Sequence, residues 1–281
     1  MNKKVKIVTD STTDLSKEMI EELDITVVPL SVTIDDQSYI DGIDITPDEF
    51  IEKLVTSDKI PQSSQPSVGS FAEVYDKLGE DGSEILSIHM TAGMSGTFNS
   101  AQTASTMTDS HVEVVDSGFI SQALSFQVKE AAKMALEGAS IHEIQERIKK
   151  VRDNSSLYIM VDTLEYLVKG GRIGRGKALV GSLLKIKPVA SLADGVYTPV
   201  TKVRTHMQMI NFFKKQFQEE TAGKTVKSIG ISHADALDLA KKVRDNLQQL
   251  TDLKDIQIRP TTPIISTHTG PGAIALMYYA E

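Results

Sequence analysis

One stretch limits the possible fold more than any other: residues 87–104, SIHMTAGMSGTFNSAQTA. The apolar run 85–90 meets a turn at Ala92-Gly93, and Ser95-Gly96-Thr97 then opens a helical pattern. A strand that feeds a helix through a short loop is the building block of α/β sheets. The first N–H groups of such a helix lack intrahelical acceptors and lie at the positive end of its dipole, so the loop attracts an anion. Ser95 adds a hydroxyl, and Gly96 lets a ligand approach the backbone closely. The ordinary alternative is a plain N-cap, in which Ser95 satisfies only its own helix. On this stretch alone the ordinary alternative is the more common one.

The surrounding pattern extends the α/β reading. Apolar runs at 5–8, 25–34, 83–90 and 112–116 alternate with helical periodicity at 15–23, 46–56, 68–78, 121–136 and 141–152. Such alternation predicts a doubly wound, mostly parallel sheet, with ligands at the carboxyl ends of the strands near Asp10, Ser63 and Ser95. Pro29 interrupts the second run and points to an edge or a bulge. Thr46-Pro47-Asp48-Glu49 is a strong helix start, with a cap, a proline at the first position and acids in the first turn. Residues 61–67, PQSSQPS, read as a polar loop stiffened by two prolines. The composition shifts at Asn154-Ser155-Ser156, which sets the expected division at 1–155 and 156–281.

Beyond it, strands are expected at 157–161, 188–192, 196–203, 227–232 and 255–259, with helices at 163–169, 207–219 and 235–250. Asp194-Gly195 marks a hairpin between the second and third of these strands. A hairpin among few helices predicts a mixed or antiparallel sheet in this lobe. The segment Ser266-Thr267-His268-Thr269-Gly270-Pro271-Gly272 reads as a Gly/Pro turn that presents His268, before a last apolar run at 273–279.

Composition removes several function classes. The 281 residues suit one large domain or two lobes sharing a cleft. A net charge of −8 argues against general nucleic-acid binding, which needs surplus Lys and Arg. The absence of cysteine excludes disulfides and thiolate chemistry. MNKKVKIVTDST holds an apolar run too short for a signal peptide, and no apolar stretch approaches the roughly 20 residues of a membrane span, so the expected location is cytoplasmic. Between 169 and 187 lie six Lys or Arg and no acid, a solvated basic face or a docking patch. Residues 171–178 imitate a phosphate-binding loop, but Ala178 stands where a hydroxyl should hold the metal and a short helix precedes it, so no nucleotide site is assigned.

The six histidines show no metal-ligand spacing, and no metal site is expected. No G-x-S-x-G elbow is present either. A triad of Ser95, His268 and an acid such as Asp10 remains open, because triad partners are recognised by geometry.

Six blocks together resemble one family. They are Asp10-Ser11-Thr12-Thr13-Asp14, Ser63-Ser64-Gln65-Pro66-Ser67, Met94-Ser95-Gly96-Thr97, Tyr166 through Ile173 (YLVKGGRI), Lys202-Val203-Arg204-Thr205 and His268-Thr269-Gly270-Pro271-Gly272. In this order, over nearly the whole chain, they are similar to the signature blocks of the DegV family. The resemblance implies a two-lobed α/β protein holding a long-chain fatty acid such as palmitate between its lobes, without a catalytic residue or further cofactor of its own. It also implies a partner: a separate ATP-dependent fatty acid kinase subunit, which turns the presented carboxylate into acyl phosphate for phospholipid synthesis. By position, Ser63, Ser95 and His268 correspond to the carboxylate ligands, with Gly96 and Thr97 beside them. Arg172 and Arg204 correspond to arginines that engage the kinase. Ser63 replaces the usual Thr and keeps the hydroxyl; Ala92 stands where many members have a second Ser. A serine hydrolase or acyltransferase using Ser95 and His268, and a stand-alone lipid carrier or sensor, are the competing expectations.

Overall fold

The computed structural model describes residues 3–57, 59–179, 181 and 186–281. In chain order the first elements are β1 (Val5–Asp10), α1 (Lys17–Glu22), β2 (Ile25–Val28), β3 (Ser31–Ile34), β4 (Gln37–Ile40), α2 (Pro47–Thr56), β5 (Gln62–Ser64), α3 (Val68–Gly79), β6 (Glu84–His89), α4 (Thr97–Ser105), β7 (Val112–Asp116), α5 (Ser121–Leu136) and α6 (Ile141–Asp153). There follow β8 (Ser155–Met160), α7 (Glu165–Lys169), β9 (Lys187–Ser191), β10 (Thr198–Val203), α8 (His206–Thr221), β11 (Val226–His233), α9 (Leu237–Leu247), β12 (Gln257–Pro260), α10 (Pro263–Thr269) and β13 (Ile274–Ala280). The chain divides into two compact units, Met1–Ser31 with Ser64–Asp153, and Val32–Ser63 with Asn154–Glu281.

The first unit is a four-stranded parallel sheet in the order β2-β1-β6-β7. Val8 packs with Phe71, Tyr75, Ile85, Ala101 and Ala104, so α3 and α4 cover one face. By the alternation of strand side chains, Ile7 and Thr9 face the other side, and α5 packs on β1. With both faces covered, β1 and β6 are buried along nearly their whole length, polar residues included. This is the doubly wound sheet that the strand–helix alternation predicts.

The second unit holds a six-stranded mixed sheet, β10-β9-β8-β13-β11-β12. All its pairings are antiparallel except β11 with β12. Phe213 and Phe217 of α8 and Val243 and Leu247 of α9 pack against Tyr158, Met160, Ile229, Ile231, Leu276 and Tyr278 to form its core. Glu220, at the end of α8, accepts hydrogen bonds from Ser156, Tyr158 and Tyr278, pinning the helix to the sheet through its polar edge.

Three features depart from the sequence reading. The run 25–34 is two strands of different sheets: β2 belongs to the parallel sheet, while β3 joins the three-stranded sheet β4-β3-β5. Pro29, which lacks an N–H, lies at the break, and Leu30 N–H donates to Ser11 Oγ at 3.1 Å instead of continuing a ladder. Residues 32–63 consequently group with the C-terminal unit, which differs from a single division at 155. Second, part of the polar loop 61–67 is the strand β5. Third, His268 does not sit in a turn. It lies in the last turn of α10, which starts with Pro263 and stops at Gly270 (φ +70°). Proline at the first helical position and glycine just beyond the last are the expected boundaries of such a short helix.

Candidate functional site

Ser63 and His268 come together within the second unit. Ser63 is the central residue of β5, and α10 packs against α2 and α7. The Oγ of Ser63 is 2.7 Å from Nε2 of His268. The other ring nitrogen, Nδ1, is buried, with no hydrogen-bond partner among the described residues. It faces Gly170, the residue that caps α7: a Cβ there would stand 2.2 Å from Nδ1. The contact is reciprocated one turn away, where a Cβ on Gly270 would stand 2.2 Å from the Tyr166 ring. Two glycines thus let α7 and α10 approach closely enough to hold the imidazole.

Burial pushes the His268 pKa down to about 4, and the Arg172 guanidinium adds to the effect. Arg172 is itself held on this turn, with Nη1 donating to the Gly170 carbonyl at 2.6 Å. His268 is therefore neutral near pH 7. A proton on Nδ1 would be a buried donor without an acceptor, whereas a bare lone pair there costs less. The neighbourhood accordingly assigns the proton to Nε2, which donates to Ser63 Oγ and leaves the serine O–H to serve as a donor elsewhere. A general base needs the opposite tautomer, with Nε2 accepting from the serine and an acid holding Nδ1–H.

Ser95, Gly96 and Thr97 belong to the first unit. Gly96 is the N-cap of α4 and offers no side-chain cap. Ser95 Oγ accepts from Thr97 N–H at 3.3 Å and lies 2.9 Å from Thr97 Oγ1, which is fully buried. Ser95 is thus the cap-like hydroxyl just before the helix, half-buried at its start. Gly96 lies against the tip of Gln65: a Cβ there would stand 2.0 Å from Gln65 Oε1, so that side chain, whose Nε2 donates to Ser100 Oγ at 2.8 Å, would have to move. Of the two arginines expected at a docking face, Arg204 is exposed and Arg172 half-buried. Lys185, counted in the basic segment, lies outside the described residues.

Asp10 is not available as the acid of a Ser95–His268 triad. Its Oδ1 accepts from Thr12 N–H (3.0 Å) and Thr12 Oγ1 (2.6 Å), and its Oδ2 bonds His89 Nδ1 (3.0 Å) and Met90 N–H (2.8 Å). Burial alone would raise this carboxyl's pKa; the bonds from His89, Thr12 and Met90 reverse the sign and hold it below its ordinary value. The chain continues from His89 Nε2 to Ser87 Oγ at 2.7 Å, which accepts from Tyr75 O–H at 2.8 Å. Ser87, His89 and Asp10 imitate a hydrolytic triad, but all three are fully buried and the serine is already bonded by Tyr75. Ser87 and His89 share one face of β6, but the network is not legible from that strand because Asp10 and Tyr75 join it from other elements.

Among the described residues there is no cluster of three or more His, Asp or Glu suited to a metal ion, and no helix long and apolar enough to cross a membrane.

Comparisons place these features in a family. Over residues 4–281 the sequence matches the family model described as "Uncharacterised protein, DegV family". It is 43% identical over 271 residues to a DegV domain-containing protein of Staphylococcus aureus strain N315, covering 96% of this chain and 97% of that one. A fatty-acid-binding DegV family protein from Thermus thermophilus matches with a TM-score of 0.94 at 29% identity, over 99% of this chain and 100% of that one. DegV of Bacillus subtilis, described as a fatty acid binding protein, matches with a TM-score of 0.92 at 30% identity, over 100% of both chains. The chain belongs to the DegV family.

Proposed function

We propose that this protein is a lipid-binding protein that holds a long-chain fatty acid by its carboxylate, through the hydroxyls of Ser63 and Ser95 and the imidazole of His268. The observation that carries the reading is the Ser63–His268 pair: a neutral imidazole donating to a serine leaves a directed hydroxyl donor for an anionic oxygen. The fatty-acid-binding relatives from Thermus thermophilus and Bacillus subtilis support the ligand class. A carboxylate taken out of water needs such donors, or it binds as the neutral acid. The tail contributes about 0.8 kcal/mol per buried CH₂, so chain length supplies most of the affinity and the head group sets direction.

The finer part of the reading is that the protein does no chemistry itself. It presents the carboxylate, in the cytoplasm, to a separate ATP-dependent kinase subunit that docks on Arg172 and Arg204. The hydrolase alternative is disfavoured by the tautomer of His268 and by the engagement of Asp10 with His89.

Native mass spectrometry of the purified protein, with identification of the released lipid, tests the binding. One fatty acid per chain is expected; protein that is empty and takes up no added palmitate or oleate overturns the proposal. For the kinase role, Arg204→Ala should keep lipid affinity and lose acyl phosphate formation by the added kinase subunit. Undiminished turnover in that variant favours a stand-alone carrier.

A further inference from the structure

The loop between β6 and α4 is held by side chains from both neighbouring strands. β6 lies between β1 and β7, and its ladder ends at His89. The next three amides would then lose their partners, and a buried N–H without an acceptor is costly. Met90 N–H donates to Asp10 Oδ2 at 2.8 Å, from the end of β1. Thr91 N–H donates to the Phe119 carbonyl at 2.9 Å. Ala92 N–H donates to Asp116 Oδ2 at 3.2 Å, from the end of β7. Asp116 is fixed in turn: its Oδ1 accepts from Gly118 N–H at 2.8 Å, and Arg152 Nη1 lies 3.4 Å from its carbonyl. Two carboxylates, one on each flanking strand, therefore grip the backbone three and five residues before Ser95.

Both carboxylates carry negative charge at the end of the sheet where an anion would bind. Charge alone makes them unfavourable there, so their presence has to be explained by what they hold. Bonds to an ionised acceptor are also the strong kind, suited to fixing a loop rather than merely satisfying it.

We propose that Asp10 and Asp116 are positioning residues for the Ser95 loop, setting the place of the Ser95 hydroxyl and of the α4 N-terminus through the amides of Met90 and Ala92. The inference rests on the reading of Ser95 as a ligand of the fatty-acid carboxylate. Asp10 is also a member of the buried core, so Asp116, which is half-buried, is the residue to test.

Palmitate affinity would be measured for the wild type, Asp116→Ala, Asp116→Asn, Ser95→Ala, Ser63→Ala and the two doubles that combine Asp116→Ala with each serine variant. Asp116→Ala should weaken binding about tenfold. Asp116→Asn should weaken it about threefold, since one acceptor oxygen remains; if only charge mattered, removing it would tighten binding. The losses from Asp116→Ala and Ser95→Ala should not add, whereas those from Asp116→Ala and Ser63→Ala should multiply. A general loss of stability would act equally in both backgrounds. Wild-type affinity in Asp116→Ala, tighter binding in Asp116→Asn, or full additivity with Ser95→Ala overturns the proposal. Hydrogen exchange without ligand separates it from the functional reading: the amides of residues 90–93 should exchange faster in Asp116→Ala, and unchanged exchange refutes the positioning role. A wild type that binds no palmitate refutes instead the fatty-acid reading.

Discussion

Gly170→Ala isolates the contact that holds the imidazole. Gly170 has φ −77° and ψ −7°, a backbone conformation that alanine adopts without strain. Its new Cβ would nevertheless stand 2.2 Å from His268 Nδ1, 2.9 Å from Cε1 and 2.9 Å from the Tyr166 carbonyl, where ordinary contact begins at 3.4 Å. The ring has to retreat by about 1.2 Å, the difference between 3.4 and 2.2 Å. A displacement of that size exceeds the few tenths of an ångström over which the 2.7 Å bond to Ser63 keeps good geometry, so the pair loses its alignment. Overpacking of this kind costs about 1–3 kcal/mol of stability. Loss of the oriented serine donor costs a further 1–3 kcal/mol in fatty-acid affinity, roughly 5- to 150-fold. Gly171→Ala is the matched control. Gly171 has φ +72° but nothing within 4 Å of its new Cβ, so it should lose about 1 kcal/mol of stability to backbone strain and keep its affinity. Calorimetric titration with palmitate, thermal melts and the His268 imidazole NMR resonances read all three quantities. Undiminished affinity in Gly170→Ala, with an unmoved imidazole resonance, would refute the argument that Gly170 positions His268.

Other expectations follow from the same contacts. His268 resists protonation until about pH 4 in the folded protein, while an unfolded imidazole takes its proton near 6.5; the unfolded chain therefore binds more protons between these values. Stability present above pH 6.5 should fall as the pH drops through this window, by at most about 3 kcal/mol, and urea melts of His268→Gln should show a shallower slope; an identical slope would exclude His268 as its source. Glu220→Ala leaves the hydroxyls of Ser156, Tyr158 and Tyr278 without their shared acceptor and should lower stability by about 2–4 kcal/mol while leaving palmitate affinity unchanged, as melts and titrations would show; a melting temperature equal to the wild type's contradicts the pin. Gly270→Ala meets the Tyr166 ring at 2.2 Å with φ +70°, so it should destabilise by more than Gly171→Ala in the same melts; an equal or smaller loss counts against the interlock of α7 and α10.

How much of this was legible in the sequence depends on the distance over which each signal acts. Local signals read well. Thr46-Pro47-Asp48-Glu49 forms the expected capping box, with Thr46 Oγ1 accepting from Glu49 N–H and the Glu49 carboxylate accepting from Thr46 N–H. The strand–turn–helix at Ser95 and the Asp194-Gly195 hairpin appear where the turn residues put them. Where one residue served two ends, the reading failed. Pro29 was legible as a break in a strand, yet nothing local tells that the chain after it enters another sheet, because strand partners are chosen by packing far along the sequence. The α10 helix was missed for the opposite reason: Pro263 and Gly270 delimit it correctly, but seven residues carry too few periodic positions to outweigh the Gly/Pro-rich stretch that follows.

The candidate site divides in the same way. Hydroxyls and a histidine could be singled out one by one, since each sits beside glycine or proline in a short polar block. On the proposed reading their chemistry turns on negative information that no block contains: the lack of an acceptor for His268 Nδ1 among the described residues and the missing side chain at Gly170. An imidazole with an acid at Nδ1 can take a proton from serine; one whose Nδ1 faces a bare glycine favours the tautomer that donates to the serine. The same two residue types, Ser and His, therefore read as a nucleophile or as an anion clasp according to a third position that carries no functional group at all. The Ser87–His89–Asp10 chain makes the converse point. It has the acid in place, yet lies sealed in the core, where it joins β6 to β1. On the proposed reading, accessibility and the identity of the third group, more than the presence of Ser and His, separate binding from catalysis.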